Sequence, residues 1–211
     1  MKHLRILLVD DHPIVRDGYR RLLESTPDIR VEADASSGEE ACTRYLEIKP
    51  DVLIIDLSLP GISGIEALRR IRQRDPDARI LVFSMHDSPV MVTRALEAGA
   101  SGYLTKSSAA AEMVDAVREV AQGRSYLSAD LVQDFVATTM AADDPLKGLT
   151  PREFQIFARL AHGQIVNEIA EVLCISPKTV GVHQTNIMKK LKLRNASELT
   201  RLAMRCGVLE P

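Results

Sequence analysis

Apolar residues in the first 122 positions alternate between short continuous runs and longer stretches with helical spacing. The runs are rich in Val, Ile and Leu, which is typical of strands buried on both faces of a sheet. They predict five strands, at residues 4–9, 29–33, 52–55, 80–83 and 102–104. The stretches between them predict five helices, at residues 13–25, 38–48, 64–74, 89–98 and 109–122. Pro13 opens the first helix, with Ile14, Leu22 and Leu23 on its apolar face.

Strict alternation of strands and helices predicts a parallel sheet, since parallel neighbours need crossover connections. We therefore predict an α/β fold with a flavodoxin-like, doubly wound, five-stranded sheet in the order 2-1-3-4-5. In such sheets ligands bind just outside the carboxyl ends of the strands. The residues at those ends are consequently the first candidates for a functional site.

Carboxylates follow two of the predicted strands that this order places side by side: Asp10 and Asp11 after the first, Asp56 after the third. Ser84 and Lys106 follow the fourth and fifth strands. Each residue alone is most often a turn or capping residue. Together, three converging carboxylates require a cation, and Mg²⁺ is a hard ion that prefers oxygen ligands. Asp56 could then attack a phosphoryl donor, while Lys106 and Ser84 stabilise the phosphoryl oxygens.

Residues 123–146 have the composition of a linker, with a short helix predicted from Ser128 to Met140 and a hinge at residues 141–148. Residues 147–211 predict an all-α unit of four helices. Thr150, Ser176 and Asn195 are predicted helix caps, and the two middle helices form a helix-turn-helix. The apolar residues expected to face inward are Phe154, Phe157, Leu160, Ala161, Ile169, Ala170, Leu173, Leu199, Leu202 and Ala203.

The third helix of this unit has two distinct faces. At about 100° per residue, Lys178, Val182, Thr185 and Lys189 share a narrow stripe. Val180, Ile187 and Leu191 lie nearly opposite. The pattern predicts that the apolar side docks on the unit and the other side binds nucleic acid.

Charge is distributed unevenly along the chain, and the excess of positive charge lies in the unit that is predicted to bind nucleic acid. Residues 1–122 carry 16 Lys and Arg against 20 Asp and Glu, whereas residues 147–211 carry 10 against 5. The opening apolar run is too short for a signal peptide, and no run reaches membrane-spanning length, so we expect a cytoplasmic protein. The three cysteines are far apart and are expected to be reduced thiols.

The first 122 residues resemble the receiver domain of two-component response regulators, through Asp10-Asp11, Asp56 with Pro60 and Gly64, Ser84, and the run from Gly102 to Lys106. That resemblance implies Mg²⁺ binding by Asp10, Asp11, Asp56 and the Ser58 carbonyl. It implies phosphorylation of Asp56 by a sensor histidine kinase, and a switch pair formed by Ser84 and Tyr103. No enzymatic activity beyond the protein's own phosphorylation and dephosphorylation is implied.

The C-terminal unit resembles the LuxR-type helix-turn-helix of NarL/FixJ response regulators, through residues 149–153, Glu168-Ile169-Ala170, Thr179-Val180 and Val182-His183. The match implies base-facing positions and phosphate contacts in double-stranded DNA. The implied base-facing positions are Gly181, Val182 and Thr185, and the phosphate contacts are Lys178, Lys189, Lys190 and Arg194. Thr179 belongs to the same set, and His183 is either a core-edge residue or a phosphate donor. The sequence departs from the family in two places, at Ile165-Val166-Asn167 and at Gly181.

These resemblances predict a receiver at residues 1–122, a linker at 123–146 and a DNA-binding domain at 147–211. Phosphorylation would promote a homodimer that binds promoter DNA. The rival prediction is a DNA-independent receiver that acts as a phosphate sink or binds partner proteins. A flavin site fits poorly because Asp10 and Asp11 would repel a phosphate, and a dehalogenase-type phosphatase lacks its second acid at Ser58.

Overall fold

The computed structural model describes residues 3–108, 110–128, 131–132, 145–146, 148–206 and 208–209, which form two compact units. The first unit is built on a parallel sheet of six strands. The strands are β1 (Leu4–Val9), β2 (Ile29–Ala35), β3 (Val52–Ile55), β4 (Ile80–Ser84), β5 (Gly102–Thr105) and β6 (Tyr126–Leu127), in the order β2-β1-β3-β4-β5-β6. The connecting helices are α1 (Pro13–Glu24), α2 (Gly38–Ile48), α3 (Gly64–Arg74), α4 (Pro89–Glu97) and α5 (Ala110–Ala121).

Burial on both faces of the sheet explains the continuous apolar runs. Ile6, Leu8 and Ile54 join one core cluster, which includes Leu23 of α1 and Val117 of α5. Side chains alternate between the faces of a strand. The intervening residues of β1 and β3 therefore belong to the opposite face, and they too are fully or almost fully buried: Leu7, Val9, Leu53 and Ile55.

The parallel α/β fold and the order of the first five strands are confirmed, with two corrections. The prediction of five strands missed β6, which pairs in parallel with β5 and extends the sheet past residue 122. A two-residue strand is too short to produce a recognisable apolar pattern. Ile14 is not on the inner face of α1 as predicted, because 88% of it is exposed, whereas Leu23 is fully buried.

The second unit contains four helices: α6 (Pro151–Ala161), α7 (Val166–Val172), α8 (Pro177–Lys190) and α9 (Ala196–Arg205). Three of them begin at the predicted caps. The Thr150 side chain accepts from the Glu153 amide, and the Glu153 carboxylate accepts from the Thr150 amide. These two bonds form a capping box. Ser176 and Asn195 cap α8 and α9 in the same way, by accepting from backbone amides three residues ahead.

The core of this second unit largely follows the prediction. Phe157, Ile169 and Ala203 are buried, as are Val180 and Ile187 on the inner face of α8, whereas Leu191 and Leu160 are only partly covered. The helix predicted at residues 128–140 lies mostly outside the described residues. Across the described ranges, the helices are all too short or too polar to traverse a lipid bilayer.

Candidate functional site

Parallel pairing of β1 with β3 brings their carboxyl ends together. Val9 is in register with Ile55, and the Asp56 amide donates to the Val9 carbonyl at 3.0 Å. Asp10 and Asp56, the residues that follow these two strands, are 2% and 3% exposed. Asp11 lies further out, with 29% of its side chain exposed. The sheet thus places the predicted acids at one edge, with two of them buried.

Lys106 supplies the positive charge at this edge. Its Nζ donates to Oδ2 of Asp10 and to Oδ2 of Asp56, both at 2.6 Å. Its backbone amide donates to the Ser84 carbonyl at 2.8 Å, which fixes it beside β4. Burial lowers the pKa of the Lys106 ammonium, but the carboxylates of Asp56 and Asp10 outweigh burial and raise it above its ordinary value. Lys106 is therefore cationic and bridges two acids.

Lys106 contacts two of the three carboxylates, those of Asp10 and Asp56. Asp11 contacts the imidazole of His12 instead, with Nδ1 2.8 Å from its Oδ1. The oxygen-rich donor set of Asp10, Asp11 and Asp56 fits a hard divalent cation such as Mg²⁺.

Gly64, the first residue of α3, is required by its closeness to Asp56. A Cβ atom at position 64 would lie 2.0 Å from the Asp56 carbonyl oxygen and 2.7 Å from the Leu57 Cα. Both neighbours are backbone atoms and cannot rotate away. Any side chain at this position would displace the backbone of Asp56. Glycine therefore allows the start of α3 to pack directly against the end of β3.

The predicted switch pair consists of Ser84, the last residue of β4, and Tyr103, which lies within β5. Both are fully buried. The Tyr103 hydroxyl donates to the His86 carbonyl at 2.6 Å. Burial raises the pKa of the Tyr103 phenol well above its ordinary value, so the hydroxyl remains a donor. His86 also contacts the site through its ring, since Nε2 lies 3.0 Å from Oγ of Ser58. Tyr103 is thus already turned inward in this structure.

In the second unit, the stripe of α8 is open to solvent. Lys178, Val182, Thr185 and Lys189 are exposed, and Val182 retains 54% of its surface. Thr179 and Arg194 are exposed, and Gly181 and His183 are partly exposed. The Thr185 hydroxyl donates to the Gly181 carbonyl one turn earlier, at 2.9 Å. Val182 therefore presents an apolar side chain to solvent, and the Thr185 hydroxyl proton is already used within the helix.

Lys190 has a different environment from Lys189. Its Nζ donates to Oε2 of Glu153 at 2.6 Å, and Glu153 is only 4% exposed. The structure therefore places Lys190 on the capping carboxylate of α6.

His183 lies on the flank of α8. Burial lowers the pKa of its imidazole, whose Nδ1 has no hydrogen-bond partner among the described residues.

Family models match both units. The response regulator receiver domain matches residues 6–118, and the luxR family of bacterial regulatory proteins matches residues 147–203. The chain is a LuxR-type response regulator. This response regulator, of the NarL/FixJ class, is a phosphorylation-controlled transcription regulator rather than a member of a recognised enzyme class.

Relatives extend over the full length of the response regulator. It is 38% identical to the response regulator UvrY of Escherichia coli over 97% of this chain and 95% of that protein. It is also 38% identical to GacA of Pseudomonas protegens, over 98% of each chain. A LuxR-family response regulator from Aurantimonas is 50% identical over 66% of this chain and 99% of its own, with a TM-score of 0.64. RcsB of Salmonella typhimurium is 26% identical over 95% and 96% of the two chains, with a TM-score of 0.70.

Sequence reasoning missed two residues and one contact that the structure associates with these sites. His12 lies against Asp10 and Asp11, and His86 contacts both Ser58 and Tyr103. Glu153 lies within the run 149–153 that carries the LuxR-type resemblance, but its contact with Lys190 was not predicted. The adjacency of His12 to the acid pair was visible in the sequence, whereas the other two contacts join distant parts of the chain.

Proposed function

We propose that Asp56 is the phosphoacceptor of this response regulator and that a sensor histidine kinase is its phosphoryl donor. The observation that carries this proposal is the Lys106 ammonium, 2.6 Å from Oδ2 of both Asp10 and Asp56. Asp56 is a buried carboxylate, and the Lys106 ammonium beside it can stabilise the additional negative charge of a phosphoryl group. Such preorganised charge stabilises phosphoryl transfer, in which charge spreads over the equatorial oxygens.

In the proposed reaction, an Asp56 carboxylate oxygen attacks phosphorus, the bond to the donor breaks, and an acyl phosphate forms on Asp56. Asp10, Asp11, Asp56 and the Ser58 carbonyl would hold Mg²⁺, which neutralises charge on the phosphoryl oxygens when it is bound. Lys106 would transfer its contact from Oδ2 of Asp56 to the phosphoryl group. The Ser84 hydroxyl would donate to another phosphoryl oxygen, while Tyr103 would keep the inward position that it already holds.

The response is proposed to pass from a receiver at residues 1–122, through a linker at 123–146, to a DNA-binding domain at 147–211. Phosphorylation would favour a homodimer whose α8 helices enter the major groove of two half-sites. The RcsB structures that contain dimers and DNA support this arrangement. The proposed DNA-binding residues are those of the exposed stripe and its flanks: Lys178, Thr179, Gly181, Val182, His183, Thr185, Lys189 and Arg194. Lys190, which the sequence also assigned to this set, is bound to Glu153 instead and is left out of it.

The phosphoacceptor is tested by incubating the protein with acetyl phosphate and Mg²⁺ and weighing it by intact mass spectrometry. We expect one added phosphoryl group, absent from the Asp56→Asn variant and from samples containing EDTA. Peptide mapping after borohydride reduction of the acyl phosphate should place the label at Asp56. Equal labelling of Asp56→Asn would reject the nucleophile, and labelling unaffected by EDTA would reject the metal.

A further inference from the structure

Arg16 of α1 connects the acidic edge of the sheet to the neighbouring strand β2. Its Nη1 donates to the backbone carbonyl of Asp10 at 2.7 Å, and its Nε donates to Oδ2 of Asp34 at 2.8 Å. Only 18% of the Arg16 side chain is exposed. One largely buried guanidinium therefore joins a carboxylate on β2 to the backbone at the end of β1.

The carbonyl that Arg16 binds belongs to the peptide bond between Asp10 and Asp11. A peptide unit is planar, so the direction of this carbonyl also sets the direction of the Asp11 amide and of the chain that follows. On its other side, Asp10 is fixed by β2, because the Asp10 amide donates to the Ala35 carbonyl at 3.1 Å. The backbone of the acid pair is held from both sides, and Arg16 supplies the contact nearer to Asp11.

The position of Asp11 is the one most sensitive to this backbone contact. The Asp10 carboxylate is held directly, by the Lys106 ammonium at 2.6 Å and by the His12 amide at 2.8 Å. Asp11 is more exposed, and its carboxylate contacts the exposed imidazole of His12. Mg²⁺ requires ligands close to octahedral positions at about 2.1 Å. A small rotation of the peptide unit would therefore carry the Asp11 carboxylate out of position for a shared ion.

Arg20, one helical turn later on α1, has a similar environment without this contact. Its Nη2 donates to Oδ1 of Asp34 at 2.5 Å, and its Nη1 donates to the Val31 carbonyl at 3.1 Å. Within the described ranges, its hydrogen bonds and ion pairs go to β2 and to Glu24 of α1 rather than to the acid pair. The two arginines share a helix, a charge and a partner, and they differ in the bond to Asp10.

We propose that Arg16 is a positioning residue for divalent-cation binding, which acts by fixing the peptide unit between Asp10 and Asp11. This inference rests on the cation site of the proposed function and adds to it a residue that does not touch the ion. A purely electrostatic role would act in the opposite direction, because a guanidinium near the pocket repels a cation. Removal of the side chain separates the two roles by sign. Loss of positioning weakens cation binding, whereas loss of repulsion tightens it.

Titration of the full-length protein with Mg²⁺, followed by ¹H–¹⁵N NMR, compares Arg16→Met with Arg20→Met. Both substitutions remove one positive charge from α1 and one partner from Asp34. We expect Arg16→Met to weaken Mg²⁺ binding by about tenfold, the lower end of the effect of groups that support metal ligands, and Arg20→Met to stay within about twofold of wild type. Arg16→Lys keeps the charge but lacks the rigid fork that holds two acceptors, so its affinity should lie between those of wild type and Arg16→Met.

Phosphorylation by acetyl phosphate gives a second measurement, which separates positioning from a general loss of structure. In Arg16→Met, the Mg²⁺ concentration for half-maximal rate should rise by the same factor, whereas the rate at saturating Mg²⁺ should stay within about twofold of wild type. Unweakened Mg²⁺ binding by Arg16→Met, or equal weakening by Arg20→Met, would overturn the role of Arg16 while leaving the cation site intact. If wild type and Asp11→Asn gave the same titration, the cation site of the proposed function would fail instead.

Discussion

The ammonium of Lys190 lies 2.6 Å from Oε2 of Glu153 and joins the end of α8 to the beginning of α6. The same Glu153 oxygen accepts from the Thr150 amide at 2.8 Å, so one nearly buried carboxylate serves both the helix cap and the ion pair. Lys189, its neighbour, lies on the exposed stripe of α8. The two adjacent lysines thus lie in different environments, and we expect Lys190 to contribute to stability and Lys189 to DNA binding.

Replacing each lysine by alanine should separate these roles. Lys190→Ala leaves a buried carboxylate without its cation and should destabilise α6 by about 1 kcal/mol, a value reduced by the partial exposure of Lys190. Hydrogen–deuterium exchange in α6 peptides should then be about fivefold faster. Lys189→Ala should leave exchange unchanged but lower the slope of log affinity against log salt by about 0.9 on duplex DNA. A reversed result would mean that Lys190 is the phosphate contact.

The Glu153 pair also predicts a pH dependence. Burial raises the pKa of Glu153, but its bonds with Lys190 and Thr150 outweigh burial and lower the pKa below its ordinary value. A carboxyl whose folded pKa is depressed stabilises the fold above its unfolded pKa of about 4.3, and that contribution is lost as the pH falls through the folded value. Urea denaturation should show a constant stability difference between wild type and Glu153→Gln from pH 7 to 5. The difference should shrink below about pH 4, and a difference that widened there would contradict the assignment.

Gly181 provides a test of how α8 faces DNA. A Cβ atom added there meets nothing within 4 Å, so a side chain can be introduced without a clash. Gly181→Lys should bind DNA more tightly and steepen the salt slope by about 0.9 for one added phosphate contact. Gly181→Ala is the control, which should stabilise the helix by about 1 kcal/mol without changing the slope. If the lysine variant kept the wild-type affinity and slope, position 181 would not face DNA.

Ser84 should couple phosphorylation to assembly. Its hydroxyl is the proposed donor to the phosphoryl group, and Tyr103 on the neighbouring strand already holds the inward position through the His86 carbonyl. Sedimentation with Mg²⁺ and beryllium fluoride should convert wild type to a dimer and leave Ser84→Ala in its starting state. Ser25→Ala, at the exposed end of α1, should behave as wild type. Equal shifts of wild type and Ser84→Ala would exclude the coupling.

The sequence predicted most of the site because buried parallel strands have a strong local signal. The run from Val52 to Ile55 determines both the central strand and the position of Asp56 after it. Parallel topology then requires Asp10 and Asp56 to be neighbours, although the two residues are far apart along the chain. The caps Thr150, Ser176 and Asn195 were equally local signals, and the structure uses all three.

The features that were missed depend on tertiary contacts or on very short segments. Helical periodicity assigns Lys190 to a flank of α8, but it does not show that its long side chain reaches Glu153 on another helix. Apolar character predicted an inward Ile14, whereas its position in the first turn of α1 leaves it exposed. β6 has two residues and is defined only by its register with β5.

Control of DNA binding by Asp56 is most directly tested by fluorescence anisotropy on a duplex selected from random sequences. Wild type and Asp56→Asn would be titrated with and without acetyl phosphate and Mg²⁺ at one salt concentration. We expect phosphorylation to tighten wild-type binding by about tenfold, within the range of typical allosteric couplings, and to leave Asp56→Asn unchanged. Equal affinity of phosphorylated and unphosphorylated wild type, or an equal response from Asp56→Asn, would contradict this account.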